Sequence, residues 1–119
     1  MKRKNLGKRG EDIALDYLTG HSYRFVDRNF SCPIGEIDLV VKDTKTLVFV
    51  EVKTRWSKKY GTPESAVTPR KLRSITKTAL WFKKNHPSLP DRLRIDVVAI
   101  DVDDEGALLR LRHIKNVTG

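Results

Sequence analysis

The sequence predicts an α/β fold, a mixed central sheet flanked by helices, and three observations carry that expectation. The runs GEIDLVVKD, TLVFVEVKTR and RLRIDVVAIDV carry branched apolar residues in the alternating or massed pattern of strands. Two other segments repeat apolar residues at helical spacing. The connection from the strand with Glu51 to the strand with Asp96 contains one of these helices and is long enough for a right-handed parallel crossover.

The first helix is expected from about Asn5 to Leu18, because Leu6, Gly10, Ile13, Ala14 and Tyr17 share a face, and Gly20 is its expected stop. A strand from near Tyr23 to Asn29 follows, and Ser31-Cys32-Pro33 turns the chain into a hairpin with Thr44-Lys45 at its tip. The segment WSKKYGTPESAV reads as an exposed loop. Thr68 then caps a second helix, Pro69 occupies its first turn, and Pro87 prevents continuation beyond Asn85. Its inner stripe is Leu72, Ile75, Ala79 and Phe82, and another face carries Arg70, Arg73, Lys77, Trp81 and Lys84. RLRIDVVAIDV is the next strand, and the acidic turn Asp103–Gly106 leads to a final one, ALLRLRHI. The expected order is helix, three strands, helix, strand, with an extra C-terminal strand.

At 119 residues the chain suits one domain with a real core. A hydrophobic fraction of 39% supports globular folding, so the 33% of charged residues describes a surface and not disorder. A net charge of +9 calls for an anionic partner, of which nucleic acid is the commonest, ahead of a ribosome or an acidic membrane surface. Cys32 is the only cysteine, so no internal disulfide can form and a reducing compartment is the natural setting. His21, His86 and His113 lack metal-ligand spacing, so a zinc module is not expected. No apolar stretch of signal-peptide length follows the basic start, and no run is long enough to span a membrane, which makes the cytoplasm the expected location.

The hairpin holds the sharpest chemical signal. Folding back at Thr44-Lys45 sets Ile37 against Val52, Leu39 against Val50 and Val41 against Val48, giving one wholly apolar face. The other face then holds Asp38 against Glu51 and Glu36 against Lys53. Directly opposed carboxylates repel by roughly 3 kcal/mol at about 5 Å and an effective dielectric near 20. A divalent cation reverses the sign of that term, since hard oxygen ligands are what Mg²⁺ takes. The same register also suits carboxylates that simply face water beside a Glu36–Lys53 ion pair.

Asp on the second strand followed by Glu-x-Lys on the third resembles the PD-(D/E)xK, or restriction-endonuclease-like, nuclease superfamily. More closely, the segments GKRGEDIALDYL, RNFSCPIGEIDLVV, LVFVEVKTR, YGTPESAVTPRK and RIDVVAI resemble, in order, the YraN-like family of small bacterial proteins, itself similar to archaeal Holliday junction resolvases. Ile37 stands where the superfamily's name has proline. The resemblance implies a restriction-endonuclease-like αβββαβ core. It implies that Asp38 and Glu51 are the acidic ligands of Mg²⁺ or Mn²⁺, with the Val52 carbonyl as a backbone ligand and Lys53 beside the reacting water. It also places Glu11 near that site from the first helix, and it matches Asp96, which on its own residues reads more readily as the partner of a nearby Arg or Lys.

The activity so implied is hydrolysis of DNA phosphodiesters, on branched or otherwise structured DNA. The alternative is a non-catalytic nucleic-acid-binding module on the same fold. Arg55, Lys58 and Lys59 in the loop and Arg70, Arg73 and Lys77 on the second helix form the expected path of the phosphate backbone. Trp56 and Trp81 are candidates for base stacking or for packing, with packing favoured at Trp81. The resolvase likeness allows a homodimer without fixing one.

Overall fold

A computed structural model describes residues 2–57 and 67–118. Helix α1 (Arg3–Gly20) precedes strands β1 (Arg24–Cys32), β2 (Gly35–Asp43) and β3 (Thr46–Trp56). Helix α2 (Pro69–Lys84), β4 (Arg92–Val102) and β5 (Leu108–Ile114) follow. The strands lie in the order β1-β2-β3-β4-β5, antiparallel except for the parallel pair β3–β4 that α2 connects. This is the expected mixed α/β arrangement, including the C-terminal strand.

Two apolar layers sandwich the sheet. Ile13, Ala14 and Leu18 of α1 pack on Leu39, Val41, Val48, Val50 and Val98, while Ile75, Ala79 and Phe82 of α2 pack on Val40, Leu47, Phe49 and Ile95. β3 therefore buries every residue from Leu47 to Val52, which explains its apolar run from Leu47 to Val50 and leaves Glu51 a buried carboxylate. Gly10 lets α1 lie against β3: a Cβ there would stand 1.7 Å from Oγ1 of Thr54.

Local chemistry sets the helix ends. Oγ1 of Thr68 accepts the Lys71 amide at 3.1 Å, with Pro69 in the first turn, as expected for α2. α1 departs from expectation by running through Gly20. Its left-handed residue is Ser22, at φ 72°, and the amides of Tyr23 and Ser22 return to the carbonyls of Leu18 and Thr19 at 3.0 and 3.2 Å. That is a Schellman closure, in which apolar contact across the motif selects the stop. Tyr23 and Leu18 share the α1-side core, so the motif forms around them and not around Gly20.

The hairpin keeps the expected register from Asp43–Thr46 to Leu39–Val50, with Thr44 at φ 54° in the turn. Beyond Leu39–Val50 the ladder stops, so the expected direct pairs Ile37–Val52, Asp38–Glu51 and Glu36–Lys53 do not form. Ile37 joins the α2-side core instead of sharing a face with Leu39 and Val41.

Candidate active site at a bend in the sheet

The lost ladder has a local cause. On β1, Arg28 turns toward α1, where its Nη1 lies 2.7 Å from Oδ1 of Asp12. Only two residues later, Phe30 packs edge-on against Phe82 of α2. Two residues of a regular strand share a face, so the strand rotates between them. Asn29, at φ 55°, supplies the rotation, since asparagine is among the few residues that tolerate left-handed backbone. β2 follows its neighbour: Leu39, paired with Arg28, faces α1, and Ile37, paired with Phe30, faces α2. Asp38 sits at this bend. Its Oδ2 accepts the Val52 amide of β3 at 2.8 Å, so a side chain takes the place of a ladder hydrogen bond.

The bend brings the two acids together. Glu51 is only 7% exposed, and Asp38 shares a side-chain hydrogen bond with it. Burial, then that hydrogen bond, then the Glu51 charge push the Asp38 carboxyl up to about 7, against the opposing pull of the Val52 amide and Lys71. Nζ of Lys71, from the first turn of α2, lies 3.6 Å from Oε2 of Glu51. The donor set fits a hard divalent cation, because Mg²⁺ commonly takes one or two carboxylates and completes its shell with water and substrate oxygens. Among the described residues no group of three or more His, Cys, Asp or Glu side chains is placed to hold a metal.

Other expected site residues lie variously around this pair. Lys53 is half-buried two residues beyond Glu51 and forms no ion pair among the described residues. Val52 contributes its amide to Asp38. Glu11 does not complete a three-acid cluster: it meets Arg28, with Nε 3.3 Å from its Oε1. Arg55 pairs with Asp101 at 2.9 Å. Arg70, Arg73 and Lys77 are exposed along α2, and Lys58 and Lys59 lie outside the described residues. Trp81 is 39% exposed, contrary to the packing role favoured for it, whereas Trp56 packs on the α1-side core. Lys71 is the site residue that sequence reasoning passed over. Its signal was the helical spacing to Ser74 and Thr78, a polar stripe between the apolar and the outer basic faces.

Asp96 belongs to a different arrangement on the α1 side. Fully buried, it accepts from Nε of Arg94 at 2.9 Å and from the Asn116 amide at 2.9 Å, and Nε2 of His113 lies 2.8 Å from its Oδ2. Burial alone would raise its carboxyl, but the bonds from His113, Arg94 and Asn116 outweigh burial and hold it below the usual range. Arg94 also donates to Tyr23 at 2.9 Å and to Asp43 at 3.2 Å. The network ties β4, β5, the C-terminal segment and the β2–β3 hairpin together, and its contacts are internal.

No helix among the described residues is long and apolar enough to cross a membrane. Residues 10–100 match the uncharacterised protein family UPF0102. A UPF0102 protein of Geobacter sulfurreducens is 50% identical over 113 residues, covering 95% of this chain and 88% of the relative. UPF0102 proteins of Caldicellulosiruptor bescii and Syntrophomonas wolfei are each 42% identical, with 98% and 95% of this chain and 98% and 96% of the relatives covered.

Proposed function

The chain belongs to the uncharacterised protein family UPF0102, and on that premise we propose that it is a divalent-metal-dependent nuclease of restriction-endonuclease-like fold that hydrolyses DNA phosphodiesters. One observation carries the reading: Asp38, anchored by the Val52 amide, lies beside the buried Glu51 at a bend in the sheet, so ionising both costs a charge repulsion that a cation removes. A structural role gains nothing from that cost. A hydrogen-bonded acid pair that only stabilised the fold would be better replaced by apolar residues, as buried ionic groups commonly can be.

Each nearby group then has a task. The Val52 amide fixes the orientation of Asp38, so the two carboxylates stay converged before any ligand arrives. Bound there, Mg²⁺ or Mn²⁺ would supply Lewis-acid activation of the scissile phosphate and of a water. Lys53, a compact cation without an ion-pair partner among the described residues, stabilises the charge that develops on the phosphate. Arg70, Arg73 and Lys77 recur along about 10 Å of α2 and hold the backbone of the substrate as it approaches. The exposed ring of Trp81 on the same helix offers a stacking surface for an unpaired base, which favours branched or otherwise non-duplex DNA.

The test is incubation with labelled duplex, single-stranded and four-way-junction DNA in Mg²⁺, Mn²⁺ or EDTA. Cleavage is expected to need metal and to disappear in Glu51→Ala while DNA binding survives. Tight binding without cleavage of any substrate by the wild-type protein would instead identify a binding module.

A further inference from the structure

α2 presents three stripes of different chemistry. Ile75, Ala79 and Phe82 are buried, and Arg70, Arg73 and Lys77 are exposed. Between them run Lys71, Ser74 and Thr78, lying against the start of β2: a Cβ on Gly35 would stand 2.8 Å from Oγ1 of Thr78 and 2.9 Å from Oγ of Ser74. This close approach brings Nζ of Lys71 to 3.6 Å from Oε2 of Glu51. That distance is an ion pair without a hydrogen bond, so no directional bond fixes the ammonium. The partners differ in freedom. The Glu51 side chain is 8% exposed and anchored in the sheet, whereas the Lys71 side chain is 43% exposed on a flexible stem.

Lys71 and a divalent cation compete for the same carboxylate. A bound cation close to Glu51 repels the ammonium, and the stem can carry Nζ away without moving the helix. Its nearest alternative acceptors would be phosphates running along the outer stripe, since Arg70 is the adjacent residue. Building on the reading of Asp38 and Glu51 as a cation site on a DNA-acting protein, we propose that Lys71 is a positioning residue that exchanges partners. It neutralises Glu51 in the metal-free protein and passes to a backbone phosphate when DNA and cation are bound. The exchange couples the two ligands, because whatever draws Lys71 off Glu51 favours the other by the same factor.

Calorimetric titration with Ca²⁺ in the absence of DNA, and DNA binding measured in Ca²⁺, separate this role from a structural one. Lys71→Met is expected to bind Ca²⁺ roughly tenfold more tightly while binding DNA several-fold more weakly. Lys71→Arg should behave as wild type, and Arg70→Met should weaken DNA binding alone. Folded Lys71→Met with unchanged or weaker Ca²⁺ affinity would overturn the exchange. Should Lys71→Met not fold, Lys71→Gln decides by the same criterion. If instead wild type and Asp38→Ala bind Ca²⁺ equally, or neither binds, the cation site itself is refuted and the exchange with it.

Discussion

Asp38 carries a carboxyl group raised to about 7 by burial and by the hydrogen bond and charge of Glu51. Between the ordinary value near 4 and about 7 the folded protein therefore holds a proton that the unfolded chain releases. Stability from this group is full below the ordinary value and is lost as pH rises through about 7. Asparagine cannot ionise, yet its Oδ1 can still accept the Val52 amide. In EDTA, the stability of Asp38→Asn relative to wild type should rise by roughly 2–4 kcal/mol between pH 5 and pH 8, or on the order of 10 °C. An equal difference at both pH values would show that the carboxyl pair is not strained. Asp96 works in the opposite sense: its depressed value contributes stability above the ordinary carboxylate range, lost as pH falls through the folded value. The half-buried Asp38 and the fully buried Asp96 thus answer pH in opposite directions, the first facing a second acid and the second surrounded by donors.

Among the elements, α1 and β3 meet most tightly where Gly10 faces Thr54. Gly10→Ala should cost about 1–3 kcal/mol in chemical unfolding despite the better helix propensity of alanine, because the methyl group has no space. Thr54→Ala in the same chain should recover part of that loss, and strictly additive effects would place the strain elsewhere. How far such arrangements can be read from sequence depends on their range. The Leu39–Val50 to Asp43–Thr46 register was legible because alternating branched residues and a two-residue turn are local signals. α2 was legible for the same reason, from Thr68 and Pro69 at one end to the stripe ending at Phe82. The bend was not. It arises from Asn29 on a neighbouring strand, and a hairpin considered alone gives no reason to rotate at Asp38. The acids still met, but through a side chain inserted at the end of the ladder and not by direct cross-strand opposition. Lys71 was missed because periodicity favoured the outer stripe of Arg70, Arg73 and Lys77, whereas its role depends on the approach of Gly35 to α2. Glu11, on α1, meets Arg28, and no third acid joins Asp38 and Glu51 to form a three-ligand group among the described residues.

For the whole molecule, a net charge of +9 becomes useful when the exposed cations lie beside the acids. Arg70, Arg73 and Lys77 meet that condition on the helix that also carries Lys71 to Glu51. Each phosphate neutralised contributes about 0.9 to the slope of log affinity against log salt concentration for duplex DNA. Replacing the three with methionine should therefore flatten that slope by about 3 and weaken all sequences alike. An unchanged slope would move the DNA path to another surface. The bend also bears on how the molecule coexists with copies of itself. β1 is an outer strand, and an outer strand with regular, unpaired amides and carbonyls is a template for aggregation. The register shift between Phe25 and Asp27 and the left-handed Asn29 break that regularity twice within one strand. The rotation that gathers the acids therefore also makes the sheet's rim a poor surface for another chain to extend.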